Sequence, residues 1–403
     1  MSWETHKIEE LASSEKAALA TGPFGSAVSS KHFRQDGVPM LRGSNLSENV
    51  GTKLNESDLI FLETELAETF SRSTAKRGDL IFTCWGTVGQ IGLLGPDSRY
   101  EKYIVSNKQM KLTVDRSKVD PLFLYYNLSQ PKMIFEVQSR AIGSTIPGFN
   151  LGQLKSLTVN IPTLDEQRAI AEVLGALDDK IAANTKLAAT ADDYVRSMFV
   201  GLTSDASETI AIGELTSNRK DLIDPSTLGP EVRYVGLEHI PRRSMWLDSF
   251  GLADSVTSTK AGFHPGDILF GKLRPYFHKV AITPFAGVCS TDILVLTPSS
   301  QDLSGFSLAS VSSDYVVERV TAASEGTRMP RTSWKDLSAV HVPWPGEESA
   351  REFSVQVTAL QRSVESLIQE NTSLAATRDA LLAQLMSGKL RVKDVEALAA
   401  EHV

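Results

Sequence analysis

Cysteine is scarce in this chain: two of 403 residues, Cys84 and Cys289, stand far apart with no Cys-x-x-Cys partner. That excludes a disulfide framework and a thiolate zinc site and fits a reducing compartment. The seven histidines (His6, His32, His239, His264, His278, His341 and His402) are scattered, without a His-x-His or His-x-x-x-His pair, so nothing points to a metal centre. No apolar run approaches the roughly 20 residues of a membrane span, and the acidic, polar start MSWETHKIEELASSEK lacks the apolar core of a signal peptide. The expectation is a cytoplasmic protein with no membrane partner. Positive charge is not in surplus either. With 41 basic against 49 acidic residues the net charge is −8, so no global field draws the chain onto a polyanion, and any such site must be local.

Enzyme signatures are missing too. There is no GxxxxGK[ST] phosphate loop and no Asp-Pro-Pro-Tyr or Asn-Pro-Pro-Tyr/Phe run to hold a flipped adenine. Gly86, Gly89 and Gly92 have the wrong spacing for a nucleotide loop and read as turn residues. Asp178-x-Lys180, a fragment of nuclease motifs, falls on a helical face and reads as solvated charge.

What is present is an internal repeat. The composition, 41% hydrophobic and 22% charged, is that of a globular protein two to three times a typical domain in length. NTKLAAT (184–190) recurs as NTSLAAT (371–377), and Ile181 and Asp192 align with Ile368 and Asp379 in the same register. GDLIF (78–82) recurs as GDILF (266–270), and Gly143-Ser144-Thr145 with Pro147 as Gly326-Thr327-Arg328 with Pro330. Each half runs from a mixed region into a long helix. The first helix opens on a Thr163/Glu166 capping box after Pro162, with an apolar stripe through Ile170, Val173, Leu174, Leu177, Ile181, Leu187, Tyr194, Val195 and Met198. In the second, Phe353, Leu360, Leu367, Leu374 and Leu381 keep a seven-residue interval, with Val357, Val364, Asn371 and Leu385 at the other seam position. That pattern predicts a coiled coil, and the equivalent Asn184 and Asn371 fall on its seam, where a buried amide fixes register at a cost in stability.

The mixed regions hold short apolar runs bounded by turn residues, at Leu80–Cys84, Lys111–Val114, Ile268–Phe270 and Ile293–Leu296. Basic and polar residues cluster in their loops. Lys272, Arg274, Tyr276 and Lys279 follow the second GD strand, and Arg328 and Arg331 form a further group whose first-half counterpart is Arg140, Ser144 and Thr145. Another contains Arg42, Ser44 and Asn45, with Arg72, Lys76 and Arg77 just before the first GD strand. Such side chains suit phosphates and base edges, so these are the candidate DNA contacts.

These segments resemble a known family. Gly22-Pro23-Phe24-Gly25-Ser26 and Gly37-Val38-Pro39-Met40-Leu41-Arg42-Gly43-Ser44-Asn45-Leu46 look like the opening of target-recognition domains in specificity subunits of type I restriction-modification systems. GDLIFTCWGTVG and GDILFGKLRPYFHKV look like that family's central motif, Ile161-Pro162 with Leu164-Asp165-Glu166-Gln167 its lead-in to the first conserved helix, and Ser387-Gly388-Lys389-Leu390 the end of the second. Pro343-Trp344-Pro345-Gly346-Glu347-Glu348 departs from the Leu-Asp-Glu-Gln form, which touches the local cap only. The resemblance implies an α+β chain: a target-recognition domain at 1–162, a spacer helix at 163–200, a second recognition domain at 206–343, a second spacer helix at 347–390 and a tail at 391–403. Two α/β recognition domains in pseudo-twofold repeat would be separated by two long helices forming an antiparallel coiled coil. It further implies a non-catalytic subunit that reads a bipartite, asymmetric site in double-stranded DNA and positions methyltransferase subunits, two of them, and restriction/motor subunits. S-adenosylmethionine, ATP and Mg would belong to those partners, with no cofactor in this chain. Two other classes stay open on sequence alone: a catalytic nuclease or methyltransferase with an unrecognised active site, and a coiled-coil scaffold that never touches DNA.

Overall fold

The computed structural model describes residues 3–24, 27–143, 147–324 and 329–394. The chain forms two compact units, residues 1–180 with 374–403, and residues 181–373. The division crosses both long helices, Leu164–Thr203 and Glu347–Met386, so each unit owns part of each helix and builds it into its own core. The helices are therefore not spacer domains apart from the globular regions. Most of the tail expected at 391–403 lies outside the described residues.

The units share one plan. Among the described residues of the first, a five-stranded sheet runs in the order Phe33–Arg34, Ile60–Leu62, Val38–Leu41, Lys102–Val105, Thr74–Lys76. A four-stranded sheet follows Leu19–Thr21, Gln109–Leu112, Leu80–Thr83, Ile91–Leu93, and Glu4–Lys7 pairs with Thr158–Ile161. The second unit repeats this with Leu222–Ile223, Lys260–Phe263, Gly287–Cys289, Arg233–Val235 and Gly251–Leu252 in a five-stranded sheet. Thr216–Arg219, Ile293–Pro298, Ile268–Gly271 and Val280–Ile282 form the four-stranded sheet, and Glu208–Ala211 pairs with His341–Trp344. Among the described strands, pairing is antiparallel except for one parallel neighbour in each five-stranded sheet, Met40 with Ile104 and Tyr234 with Val288. With the packed helices this is α+β.

The recurring Gly-Asp is a turn device. Gly78 (φ +93°) and Gly266 (φ +87°) take a conformation that side chains resist. The aspartate that follows then accepts a backbone N–H three residues back, Lys76 N at 3.0 Å from Asp79 and His264 N at 2.8 Å from Asp267. Leu80–Thr83 and Ile268–Gly271 come next, buried at every position because both faces of the strand are covered, which is why they read as unbroken apolar runs. Gly86 (φ +94°) and Gly89 (φ +106°) are turn glycines as well.

The helices depart from the expected pattern in instructive ways. The first is tied at its start by Gln167, which donates to Pro162 O (2.9 Å) and Lys118 O (3.2 Å) and accepts from Asp120 N (2.9 Å), while Glu166 Oε2 is buried without a partner. That replaces the Thr163/Glu166 box. Leu187 and Tyr194 are more than half exposed, because the inward stripe passes through Asn184, Ala188, Asp192, Val195 and Phe199 instead. In the second unit Asn184 donates to Asn371 Oδ1 (2.9 Å) and to Glu370 (2.7 Å), while Phe199 packs on Phe353, so the two helices run antiparallel. Asp178 is not solvated: in the first unit it is buried, accepting from Arg378 (2.8 Å) and from the Tyr126 hydroxyl (2.5 Å). Among the described residues no helix is long and apolar enough to cross a membrane.

Candidate nucleic-acid interface

Both GD strands end in the same backbone junction. In the first unit Cys84 N donates to Lys108 O (2.7 Å), Phe149 N to Cys84 O (2.8 Å) and Gly86 N to Pro147 O (3.5 Å), with Trp85 bridging to Gly148. In the second, Lys272 N donates to Asp292 O (2.8 Å), Thr332 N to Lys272 O (3.1 Å) and Arg274 N to Pro330 O (2.8 Å), with Leu273 bridging to Arg331. The repeat thus reaches individual hydrogen bonds. What differs is the side chains presented: Trp85-Gly86-Thr87 in one unit, Leu273-Arg274-Pro275 in the other. The third residue of the junction is left-handed in both. Glycine meets that demand without cost in the first unit, whereas Arg274 (φ +50°) adopts it against the usual preference, held by its bond to Pro330.

In the first unit this junction walls a cleft of about 480 Å³ whose lining includes Arg42, Ser44, Trp85, Thr87, Lys108 and Gln109. Arg42 reaches Asp58 O through one Nη (3.0 Å), but its Nε, like Gln109 Nε2, is buried without a partner. Ser106 hydroxyl donates to Gln109 Oε1, which fixes the amide with its donor end unused. Asn45 is not part of that surface. It is fully buried, accepting from Arg42 N (2.9 Å) and donating to Asn55 O (2.9 Å), so it shapes the turn that carries Arg42 and Ser44. His239 does the same in the second unit by accepting from Gly236 N (2.9 Å).

In the second unit the turn Pro275–Phe277 lies between two left-handed residues, Arg274 and His278. Tyr276 is half exposed and packs edge-on against Phe277, which also carries the Arg242 guanidinium 4.1 Å and the Arg274 guanidinium 6.0 Å from its ring centre. Arg331 reaches this turn and pairs with Asp292 at 3.2 Å. Lys272, Arg274, Tyr276 and Arg331 are therefore brought together. Lys279 turns inward onto Leu237 O, and burial, followed by the nearby Arg242, lowers its pKa. The remaining candidates of the first unit do not line the cleft: Arg72 is exposed on the Ser71–Ser73 turn, Lys76 pairs with Glu15 (2.9 Å), Arg77 bonds Ser98 O (2.9 Å) and Arg140 pairs with Glu136 (2.5 Å). Ser144, Thr145 and Arg328 lie outside the described residues. Trp85, Lys108, Gln109, Arg242 and His239 were not singled out from sequence, although Trp85 could have been found by carrying the GD offset seven residues further.

His278 links this turn to the rest of its unit. Its ring is buried, with Nε2 2.8 Å from Ser312 O and Nδ1 3.4 Å from Asp314. Burial, helped by Arg196 and Arg243, holds its pKa below 6.5 against the opposing pull of Ser312 O and Asp314. The folded group binds a proton more weakly than the unfolded one, so its stabilising contribution is fully present above the unfolded value and is lost as pH falls through the lower folded value. Melting temperatures should accordingly show the second unit weakening from pH 7 to about pH 5, and His278→Gln should flatten that slope; an unchanged slope would count against it.

Two copies of one α+β plan, each presenting a different side-chain set on one conserved junction, define a duplicated recognition protein. Residues 2–191 match the type I restriction modification DNA specificity domain. The EcoDI specificity subunit of Escherichia coli is 25% identical over 318 residues, 66% of this chain and 70% of that one. The MjaIX specificity subunit of Methanocaldococcus jannaschii is 19% identical over 422 residues, 98% and 94% of the two chains. Among solved structures, the type I restriction-modification S subunit of M. genitalium shares the fold, with a TM-score of 0.56 at 17% identity over 95% of this chain and 96% of that one. The first half of the chain is therefore a DNA specificity domain of the type I restriction-modification kind, and nearly the whole chain resembles specificity subunits of such systems.

Proposed function

We propose that each globular region reads one half of a bipartite, asymmetric site in double-stranded DNA. The carrying observation is the shared junction with divergent side chains: a fixed backbone holds Arg42, Ser44, Trp85 and Lys108 around a cleft in one unit and Lys272, Arg274, Tyr276 and Arg331 around a turn in the other. Arginine and lysine supply donors to guanine edges and phosphates. Two methyltransferase subunits, and restriction/motor subunits for cleavage, assemble on the chain in the cytoplasm, bringing S-adenosylmethionine, ATP and Mg with them.

Because the chain is net acidic, its partners contribute much of the phosphate contact that sets affinity. Purified chain alone should hold DNA weakly and only at low salt, and the assembled methyltransferase tightly. Methylome sequencing of a host with and without this chain should show one two-part motif that depends on it. Binding by the isolated chain as tight as by the complex at matched salt, or no chain-dependent motif, would overturn the proposal. Methylation or cleavage by the chain alone would favour a catalytic chain instead.

A further inference from the structure

The turn that carries Arg274 and Tyr276 is wired to the first long helix through one carbonyl. Ser312 O accepts from His278 Nε2 (2.8 Å) and from Arg196 Nη1 (2.6 Å) on that helix. Arg196 is in turn held by Asp192 (2.6 Å), whose other oxygen accepts Met245 N at 2.6 Å. On the opposite side Arg243 N donates to His278 O (2.9 Å), and the Arg243 guanidinium pairs with Asp314 (2.9 Å), the carboxylate facing the His278 ring. His278 thus closes the turn by its backbone and fastens it by its ring.

At the far end of this turn the ring's bond to Ser312 O adds a side-chain tie to the backbone bond from Arg243 N. Arg274 anchors the near end through Pro330 O, and both end residues are left-handed, a conformation that persists only where surrounding contacts impose it. Without the ring, the His278 end keeps its backbone bonds but loses its tie to Ser312. Tyr276 and Arg274 would then sample positions off the DNA surface, and contacts that carry sequence information are more sensitive to such displacement than phosphate contacts.

We infer that His278, seated by Ser312 O beside Arg196, is a positioning residue that sets the second unit's sequence discrimination without touching DNA. This rests on the assignment of that unit to one half-site. The comparable loop of the first unit is held otherwise, by Gln138 Nε2 donating to Val88 O at 3.2 Å, so the device belongs to the second unit.

The test uses the assembled methyltransferase complex and three duplexes: the cognate motif, the motif altered in the first half, and the motif altered in the second. His278→Gly removes the ring while leaving the left-handed backbone at ease, which separates positioning from strain. Discrimination against the altered second half should fall about tenfold, comparable to losing one base contact, with first-half discrimination unchanged. His278→Gln, which restores a donor toward Ser312, should recover most of it. Equal losses at both halves would mean general destabilisation, and no loss would mean the ring does not position the turn; either overturns the inference. If the unaltered complex showed no separable second half-site, the half-site assignment itself would fail.

Discussion

Exchanging residues 206–343 for the second recognition region of another family member should rewrite one half of the methylated motif and leave the other unchanged. The graft is feasible because the helices hold this region largely through its backbone. Asp192 accepts Met245 N, Arg196 donates to Ser312 O, and Ser354 Oγ accepts Phe306 N at 3.0 Å, all groups that a guest sequence also offers. The side-chain-specific part is apolar. Phe306 packs among Phe199, Phe353 and Trp344, and Trp246 Nε1 donates to Ala188 O (3.2 Å), so a guest needs aromatics at those two positions. Each mismatched base pair costs about 1–3 kcal/mol, so a half-site with two or three changed positions should drop use of the original motif by roughly 10³-fold. Genome-wide methylation patterns measure this directly. A folded, active graft that altered both halves would show that the units do not read independently.

Much of this architecture was legible in the sequence. The apolar stripe after Pro162 placed the first long helix and the seven-residue interval the second, and the NT-x-LAAT repeat put Asn184 and Asn371 on one seam, where they bond at 2.9 Å. The GD repeat located the central strands because a glycine at positive φ and a capping aspartate leave a fixed signature. Less legible was which polar residues face inward. Asp178 reads as solvated because pattern analysis assigns charge to the surface, and its burial depends on a partner, Arg378, 200 residues away. Asn45 was placed among DNA contacts by its neighbours, yet its bonds are those of a turn. Its counterpart, His239, escaped notice because its offset of 194 exceeds the drift seen elsewhere in the repeat. Proximity in sequence groups only the residues of one loop. The junctions, by contrast, are assembled from three separated segments each, so Lys108 and Asp292 join them only in the fold.

Arg378→Ala should be strongly destabilising. Arg378 occupies the seam position between Asn371 and Leu385, and its side chain is 5% exposed against 2% for Asp178. One Nη lies 2.8 Å from Asp178 and the other 2.8 Å from Asp379. Truncation strands the Asp178 carboxylate in the first unit's interior with the Tyr126 hydroxyl as its remaining donor. Breaking one side of a buried pair costs about 3–5 kcal/mol, whereas replacing both partners costs far less because no charge is left behind. Asp178→Asn with Arg378→Met should therefore recover most of the loss, since Asn keeps an acceptor for Tyr126 and Met fills the space of the arginine stem. Native-state hydrogen exchange at the amides of 123–127 and 170–178 reads the first unit separately from the second. A loss below about 1 kcal/mol, or a double variant no better than Arg378→Ala, would contradict the assignment of a buried pair. The effect should extend to recognition as well. Gly51, in the loop that continues from the Arg42 turn, approaches Arg378 so closely that a Cβ there would strike its guanidinium, and Tyr125 OH donates to Val50 O at 2.8 Å. With Arg378 gone that loop loses its floor, so discrimination at the first half-site should weaken while the second stays as it was.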